Sequence, residues 1–224
     1  MADLKAIFIQ SVTEFLPVSS SAHLTLFTSG HLAPDLLHFG TLITVVIYFR
    51  NFLLQNFFKV CIGSLPAVAI GFAIKKILCI DLYDPQFIKW GLLFGTIFML
   101  FAEFTPSASK TNISIKNAFL IGLMQCFAFI PGFSRLGATL SAARILGYNR
   151  QSSAIFSFLL SIPASLGALV LSHPSTDTVI ALSPYILLES AIGYIALAFF
   201  MKCHGQFLIL ALAFYRMLLF YMML

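Results

Sequence analysis

Residues 151–176 contain no Asp, Glu, Lys or Arg. A helix needs only about 20 largely apolar residues to cross a bilayer, so this stretch alone points to a membrane. The remainder of the chain suits the same solvent. Of its 224 residues 9% are charged and 60% hydrophobic, with 25 Phe, whereas a soluble domain carries about 25% charged residues. Too little polar surface exists to cover a water-soluble core of this size. That excludes an ordinary globular enzyme, a disordered chain and a nucleic-acid binder. The net charge of +5 therefore reads as the loop Lys and Arg of a membrane protein, with no nucleic-acid partner. Cys61, Cys79, Cys126 and Cys203 form no CxxC pair and read as small apolar fillers. The opening MADLKAIFIQ runs into a segment carrying Glu14, unlike a cleaved signal.

The expected fold is an all-α polytopic membrane protein, one integral domain over 1–224. Six transmembrane helices are expected at about 35–50, 56–76, 85–104, 152–172, 179–201 and 205–224, with Lys59, Lys75, Lys76 and Lys89 snorkelling at span ends. Two further apolar stretches, 4–30 and 116–147, are interrupted by Pro17 with Ser19-Ser20-Ser21, and by Pro131-Gly132. A mid-segment Pro ends a helix at the preceding residue, and halves of about 10–15 residues are too short to span. They are expected to be re-entrant helical hairpins. Phe15-Leu16-Pro17-Val18-Ser19-Ser20 can be laid on Phe129-Ile130-Pro131-Gly132-Phe133-Ser134. Each hairpin precedes three expected spans, and an odd number inverts the second copy. The pattern is an inverted-topology repeat, first copy about 1–104 and second about 113–224, with its site near the midplane. Arg50, Lys59, Lys110, Lys116, Arg144, Arg150 and Lys202 fall on one side and Lys5, Lys75, Lys76 and Lys89 on the other. The richer side is expected to be cytoplasmic, so the first hairpin enters from outside.

Ionisable groups at membrane depth are costly, which makes each a functional candidate. They are Glu14, His23, His38, Arg135, Arg144, Glu189 and Arg216. In TEFLPVSSSAHL, residues 13–24, Ser19, Ser20 and Ser21 stand where a return helix begins, and helix N-termini carry free N–H groups that attract anions. Ser20 and His23, three apart, share a face as a hydroxyl–imidazole pair. Glu14 could orient His23, hold a cation or position water. A serine run alone is more simply a cap, and a lone His a satisfied interior residue. In PGFSRLGATLSAARILGYNR, residues 131–150, Ser134 can cap a helix whose first turn holds Arg135. A cation there opposes the dipole unless an anion binds between them. The simpler alternative is a buried Arg135–Glu14 pair. Gly137 and Ala138 allow close approach, and Arg144 and Arg150 read as interfacial anchors. Glu189 and Arg216 are expected to pair with each other, with Arg216 reaching the headgroup site as the alternative. His38 could stand behind the site; His31, His173 and His204 are assigned to loops. The whole set suits phosphate or diphosphate better than carboxylate.

QSVTEFLPVSSSAHL (Gln10–Leu24) and PGFSRLGAT (Pro131–Thr139) resemble the two signature motifs of the undecaprenyl-diphosphatase, or bacitracin-resistance, family; LLHFGTLITVVIYFR (Leu36–Arg50) and FYR (Phe214–Arg216) resemble further family segments. The resemblance implies a phosphatase of the bacterial inner membrane. It would remove the terminal phosphate of undecaprenyl diphosphate, recycling the carrier for peptidoglycan synthesis, with a site opening to the outer side. It implies catalytic roles for Glu14, Ser20 and His23, with Ser20 or His23 as nucleophile, and phosphate binding by Ser134, Arg135 and Thr139. The reading of the residues adds Ser19, Ser21 and Gly137 to the phosphate-binding set and counts Arg135 as catalytic too. Gln10 stands at the motif's first acidic position, which removes a carboxylate from a metal site with Glu14. Leu136 stands where the family has Ser. A divalent cation, Mg²⁺ or Ca²⁺, is the one cofactor the resemblance admits; no organic cofactor is expected. The expected partners are the polyprenyl diphosphate and the bilayer, with a homodimer allowed. The rival reading is a secondary transporter or flippase for a lipid phosphate or other anion, which would need the cations but no nucleophile.

Overall fold

A computed structural model describes residues 4–28, 34–77, 85–106, 109–172 and 175–224. His31, His173 and Cys79 lie outside them. The described residues form helices α1 (Leu4–Thr13), α2 (Ser20–Phe27), α3 (Pro34–Ile77), α4 (Pro85–Glu103), α5 (Ile115–Gln125), α6 (Arg135–Ile145), α7 (Arg150–Ser172), α8 (Thr176–Cys203) and α9 (Gln206–Met222), with a 3₁₀ turn at Cys126–Phe129. Among them the only extended pairing is an isolated parallel bridge, Lys110 to Tyr148.

Four helices are long and apolar enough to cross a bilayer: His38–Ile74, Pro85–Glu103, Arg150–Val170 and Thr176–Cys203. Large apolar side chains stand exposed on their outer faces and on α9, among them Phe58 (78%), Phe101 (61%) and Phe207 (87%). In water such a surface would aggregate; in lipid it is the solvated face. The molecule is an all-helical membrane protein.

The two expected spans at 35–50 and 56–76 are joined. NFLLQ (51–55) contains neither Gly nor Pro, so nothing stops the helix, and the chain only bends at Phe49 (φ −107°, ψ 17°). Before the bend, α3 lies on α8 through Gly40 and Thr44; after it, α3 lies on α5 and α7 through Gly63. The expected last span is α9, 17 residues long. Phe49 stacks on Phe158 of α7 (centroids 5.8 Å, 19°), and Phe15 and Phe200 meet the same ring at 6.1 and 5.7 Å. These buried rings anchor the end of α1, and so the first chain break, to three long helices.

The second break is seated on α4. Gly132 has φ +91°, and a Cβ on it would stand 2.0 Å from Ile88 O. A Cβ on Gly91 would stand 2.0 Å from Pro131 O. Only glycine allows this approach. Lys59 donates to Asn112 Oδ1 (2.6 Å), and Arg150 pairs with the buried Glu103 (2.6 Å). Arg144 is not an interfacial anchor: it is buried, donating to Tyr148 O at 3.0 Å, because the turn after α6 folds over it.

Candidate active site

The two broken stretches are built alike. Each is a short helix, a non-helical corner, then a helix capped by a serine of positive φ: Ser19 (φ 72°) before α2 and Ser134 (φ 74°) before α6. Among the described residues these are the only non-glycines with positive φ. Such conformations cost roughly 1–3 kcal/mol each and persist where surrounding structure enforces them. Both hydroxyls accept from the N–H three residues on, Ala22 N at 3.4 Å and Gly137 N at 3.2 Å. Ser19, not Ser20, is thus the counterpart of Ser134. Registering the stretches on their prolines is off by one because the first corner is one residue shorter. In the corrected register Ser20 matches Arg135, each the first residue of its helix.

These two first residues meet at Glu14. Ser20 Oγ donates to Glu14 Oε2 at 3.0 Å, Gln10 Nε2 donates to the same oxygen at 3.1 Å, and Arg135 Nη2 donates to Oε1 at 3.1 Å. The Arg135 and Glu14 side chains are 15% and 11% exposed. The exposure is inward, onto a cavity of about 810 Å³ whose wall includes Ser19, Ser20, Ser21, Ser134, Arg135 and His38. The corners are also joined directly, Gly132 N donating to Ser21 Oγ at 3.2 Å. Among the described residues the N–H groups of Ser20, Ser21, Arg135 and Leu136 find no acceptor. All four residues line the cavity, leaving two helix N-termini with unused donors beside one guanidinium. The rest of the wall is mostly apolar, from α3 (Ala67, Val68, Phe72) and α7 (Pro163, Leu166, Val170), with Ser64, Gln125 and Ser165 among its polar side chains.

Other expected residues stand elsewhere. His23 is buried and is not part of the cavity wall. Its Nδ1 faces Ser19 O at 2.7 Å, so that nitrogen carries the hydrogen, and its Nε2 faces Tyr215 Oη at 2.9 Å. Sharing a helix face was not enough: the imidazole turns back onto the cap and Ser20 turns to Glu14. Thr139 is fully buried and returns its hydroxyl to Arg135 O (3.0 Å), while Gly137 lies against Met99 Sδ. Neither lines the cavity. Glu189 and Arg216 do not pair. Glu189 Oε2 accepts from Gly40 N at 3.2 Å and its other oxygen is buried without a partner. Arg216, fully buried, donates to Thr96 Oγ1 and to backbone carbonyls of both corners.

The family profile described as "Bacitracin resistance protein BacA" matches residues 6–221. The chain belongs to the BacA family. Relatives named undecaprenyl-diphosphatase include proteins of Pelagibacter ubique (36% identical, covering 94% of this chain and 91% of that one), Nocardioides sp. (33%; 87% and 84%) and Campylobacter curvus (34%; 94% and 92%). The BacA-family chain is therefore similar to them over nearly its whole length.

Two residues of the BacA-family site, Tyr215 and Gln125, were not assigned by sequence reasoning, whereas His38, expected behind the site, stands on its wall. Tyr215 holds His23; its signal was only its place beside Arg216. Gln125 lines the cavity with a buried, unpartnered Oε1, and no motif in the sequence singles it out. His38 Nδ1 lies 3.4 Å from Gln10 Nε2 on the cavity wall. The donor set around Glu14 does not fit a resident divalent cation. Both carboxylate oxygens already face donors, and Gln10 offers its Nε2 where a cation would need a second carboxylate. Without substrate phosphate to add ligands, Mg²⁺ or Ca²⁺ would need several oxygens from the protein, and among the described residues no three His, Cys, Asp or Glu cluster to supply them.

Proposed function

We propose that this chain is an integral membrane phosphatase that hydrolyses undecaprenyl diphosphate to undecaprenyl phosphate and inorganic phosphate. The observation that carries the chemistry is the convergence of Ser20 Oγ and Arg135 Nη2 on the two oxygens of Glu14 at the wall of one cavity. Family membership supports the substrate. The diphosphate lies in the polar end of the cavity, against Arg135 and the four unused N–H groups. That positive surface stabilises charge on the transferring phosphoryl group, the main electrostatic demand of the reaction. The polyprenyl chain follows the apolar wall of α3 and α7.

Ser20 Oγ attacks the terminal phosphorus while Glu14, within 3.0 Å, takes its proton. The bridging P–O bond breaks, and undecaprenyl phosphate leaves with the proton that Glu14 passes to it. Water then attacks the phosphoserine phosphorus, giving its proton through Glu14, which restores Ser20 and releases inorganic phosphate. His23 holds Ser19 O and so the geometry of the cap. No step uses a bound cation.

The finer architecture belongs to the same proposal. Counting α3 as two spans about Phe49, and α9 as one, gives six. The matched corners support an inverted repeat, about 1–104 and 113–224. The excess of Lys and Arg on one side supports an inner-membrane orientation with the site opening outward. Phosphate release from undecaprenyl diphosphate by the purified protein tests the reading, with Ser20→Ala inactive. Movement of a lipid phosphate across vesicles without hydrolysis would replace the phosphatase by a carrier.

A further inference from the structure

We infer that Arg216 is a positioning residue for the phosphate site, one guanidinium that fixes both chain corners relative to each other. The inference rests on the phosphatase reading for its kinetic consequence but not for its geometry. Arg216 lies in α9, far in sequence from either corner, and has no exposed surface. Its Nη1 donates to Pro17 O of the first corner at 3.3 Å. Its Nη2 donates to Gly132 O and Phe133 O of the second at 3.0 and 3.1 Å. Nε donates to Thr96 Oγ1 at 2.9 Å, and Nη2 also reaches Leu92 O at 3.1 Å, both on α4. A Cβ on Gly95 would stand 2.4 Å from Nη2, so α4 is hollowed to admit the group.

Every one of these acceptors is neutral. Among the described residues no carboxylate forms an ion pair with Arg216. A buried cation without a counter-ion is expensive, and here each nitrogen of the planar fork has a neutral acceptor, with Nη2 sharing its two hydrogens among three carbonyls. The carbonyls explain what the fork is for. A corner that turns its N–H groups toward the cavity turns carbonyls away from it, and at membrane depth those need a donor. Arg216 meets this need for both corners at once, on the face opposite the substrate. It thereby sets the angle between the N-termini of α2 and α6, and the gap between Ser20 and Arg135.

The experiment uses the full chain in detergent with Arg216→Lys and Thr96→Val. Three readouts are taken: phosphate release per folded molecule, thermal unfolding, and the distance distribution between spin labels at Thr25 of α2 and Ile130 of the second corner, in a background lacking the native cysteines. Lysine keeps the charge but has three donors on one nitrogen and cannot span both corners. The expected result for Arg216→Lys is kcat down about 100-fold, the size of effect seen when a preorganised donor is misplaced, with KM within about threefold and a broadened label distance. Thr96→Val, which frees only Nε, should lower kcat about threefold to tenfold. A role in stability alone would lower the melting temperature and leave kcat per folded molecule and the distance unchanged; that outcome overturns the inference. If Arg216→Lys does not fold, Thr96→Val decides, and an unchanged kcat refutes it. If wild type releases no phosphate, the phosphatase reading falls, while an unchanged label distance in the folded variants would separately overturn the geometric inference.

Discussion

The Glu14–Arg135 contact invites a test that separates an ion pair from a phosphate clamp. Arg135→Gln leaves the Glu14 carboxylate with Gln10 and Ser20 as donors but no cation. Breaking a buried pair costs about 3–5 kcal/mol. Because Glu14 keeps two donors and is 11% exposed to the cavity, a loss of about 2–3 kcal/mol is expected. Turnover should fall about 10²–10³-fold, the effect of losing one preorganised donor to a developing oxyanion. Adding Glu14→Gln removes the stranded charge. Thermal unfolding of the double variant should then return to within about 1 kcal/mol of wild type. Phosphate release should not return, because both the clamp and the proton acceptor are gone, and it should stay at least about 10³-fold down. A double variant that regained turnover to within tenfold of wild type would show that Arg135 only neutralises Glu14, and the proposed chemistry would be wrong.

The positive φ of Ser134 makes its two simplest substitutions diverge. Ser134→Ala loses the cap and keeps the strain, so the melting temperature should drop by the equivalent of about 1–2 kcal/mol, whereas Ser134→Gly loses the cap but relieves the backbone and should stay near wild type; equal losses would count against the strained cap. Trapping with radiolabelled substrate should give an acid-stable phosphoserine that Ser20→Ala abolishes and His23→Ala only reduces, while an acid-labile adduct dependent on His23 would reverse the roles. Calorimetric titration of the substrate-free protein with Ca²⁺ or Mg²⁺ should show no saturable binding, and Gln10→Glu should gain it; tight binding by wild type would contradict the reading of Glu14 as fully occupied by donors.

Much of this molecule is legible without coordinates because the bilayer imposes one solvent on long stretches of chain. A charge-free run such as 151–176 leaves no choice but a spanning helix within it, and Pro17 and Pro131-Gly132 mark the two corners locally, since the missing N–H and fixed φ act on their own neighbours. The ionisable residues at those corners, Glu14 and Arg135, stand out for the same reason. Sequence was less able to set registers. That Ser19 rather than Ser20 pairs with Ser134 depends on the length of each corner's backbone path. That α3 runs through residues 51–55 depends on there being no reason to stop.

What the amino-acid order determined is the solvent, the helices, the two interruptions and the residue types gathered at them. What only the tertiary structure decided is which partner each polar group chose. Ser20 took Glu14 rather than His23, His23 took Ser19 O and Tyr215, Thr139 folded back onto α6, and Arg216 left Glu189 for the carbonyls of both corners. In a low-dielectric interior every donor must find some acceptor, and which one lies within about 3 Å is settled by how helices far apart in sequence come together.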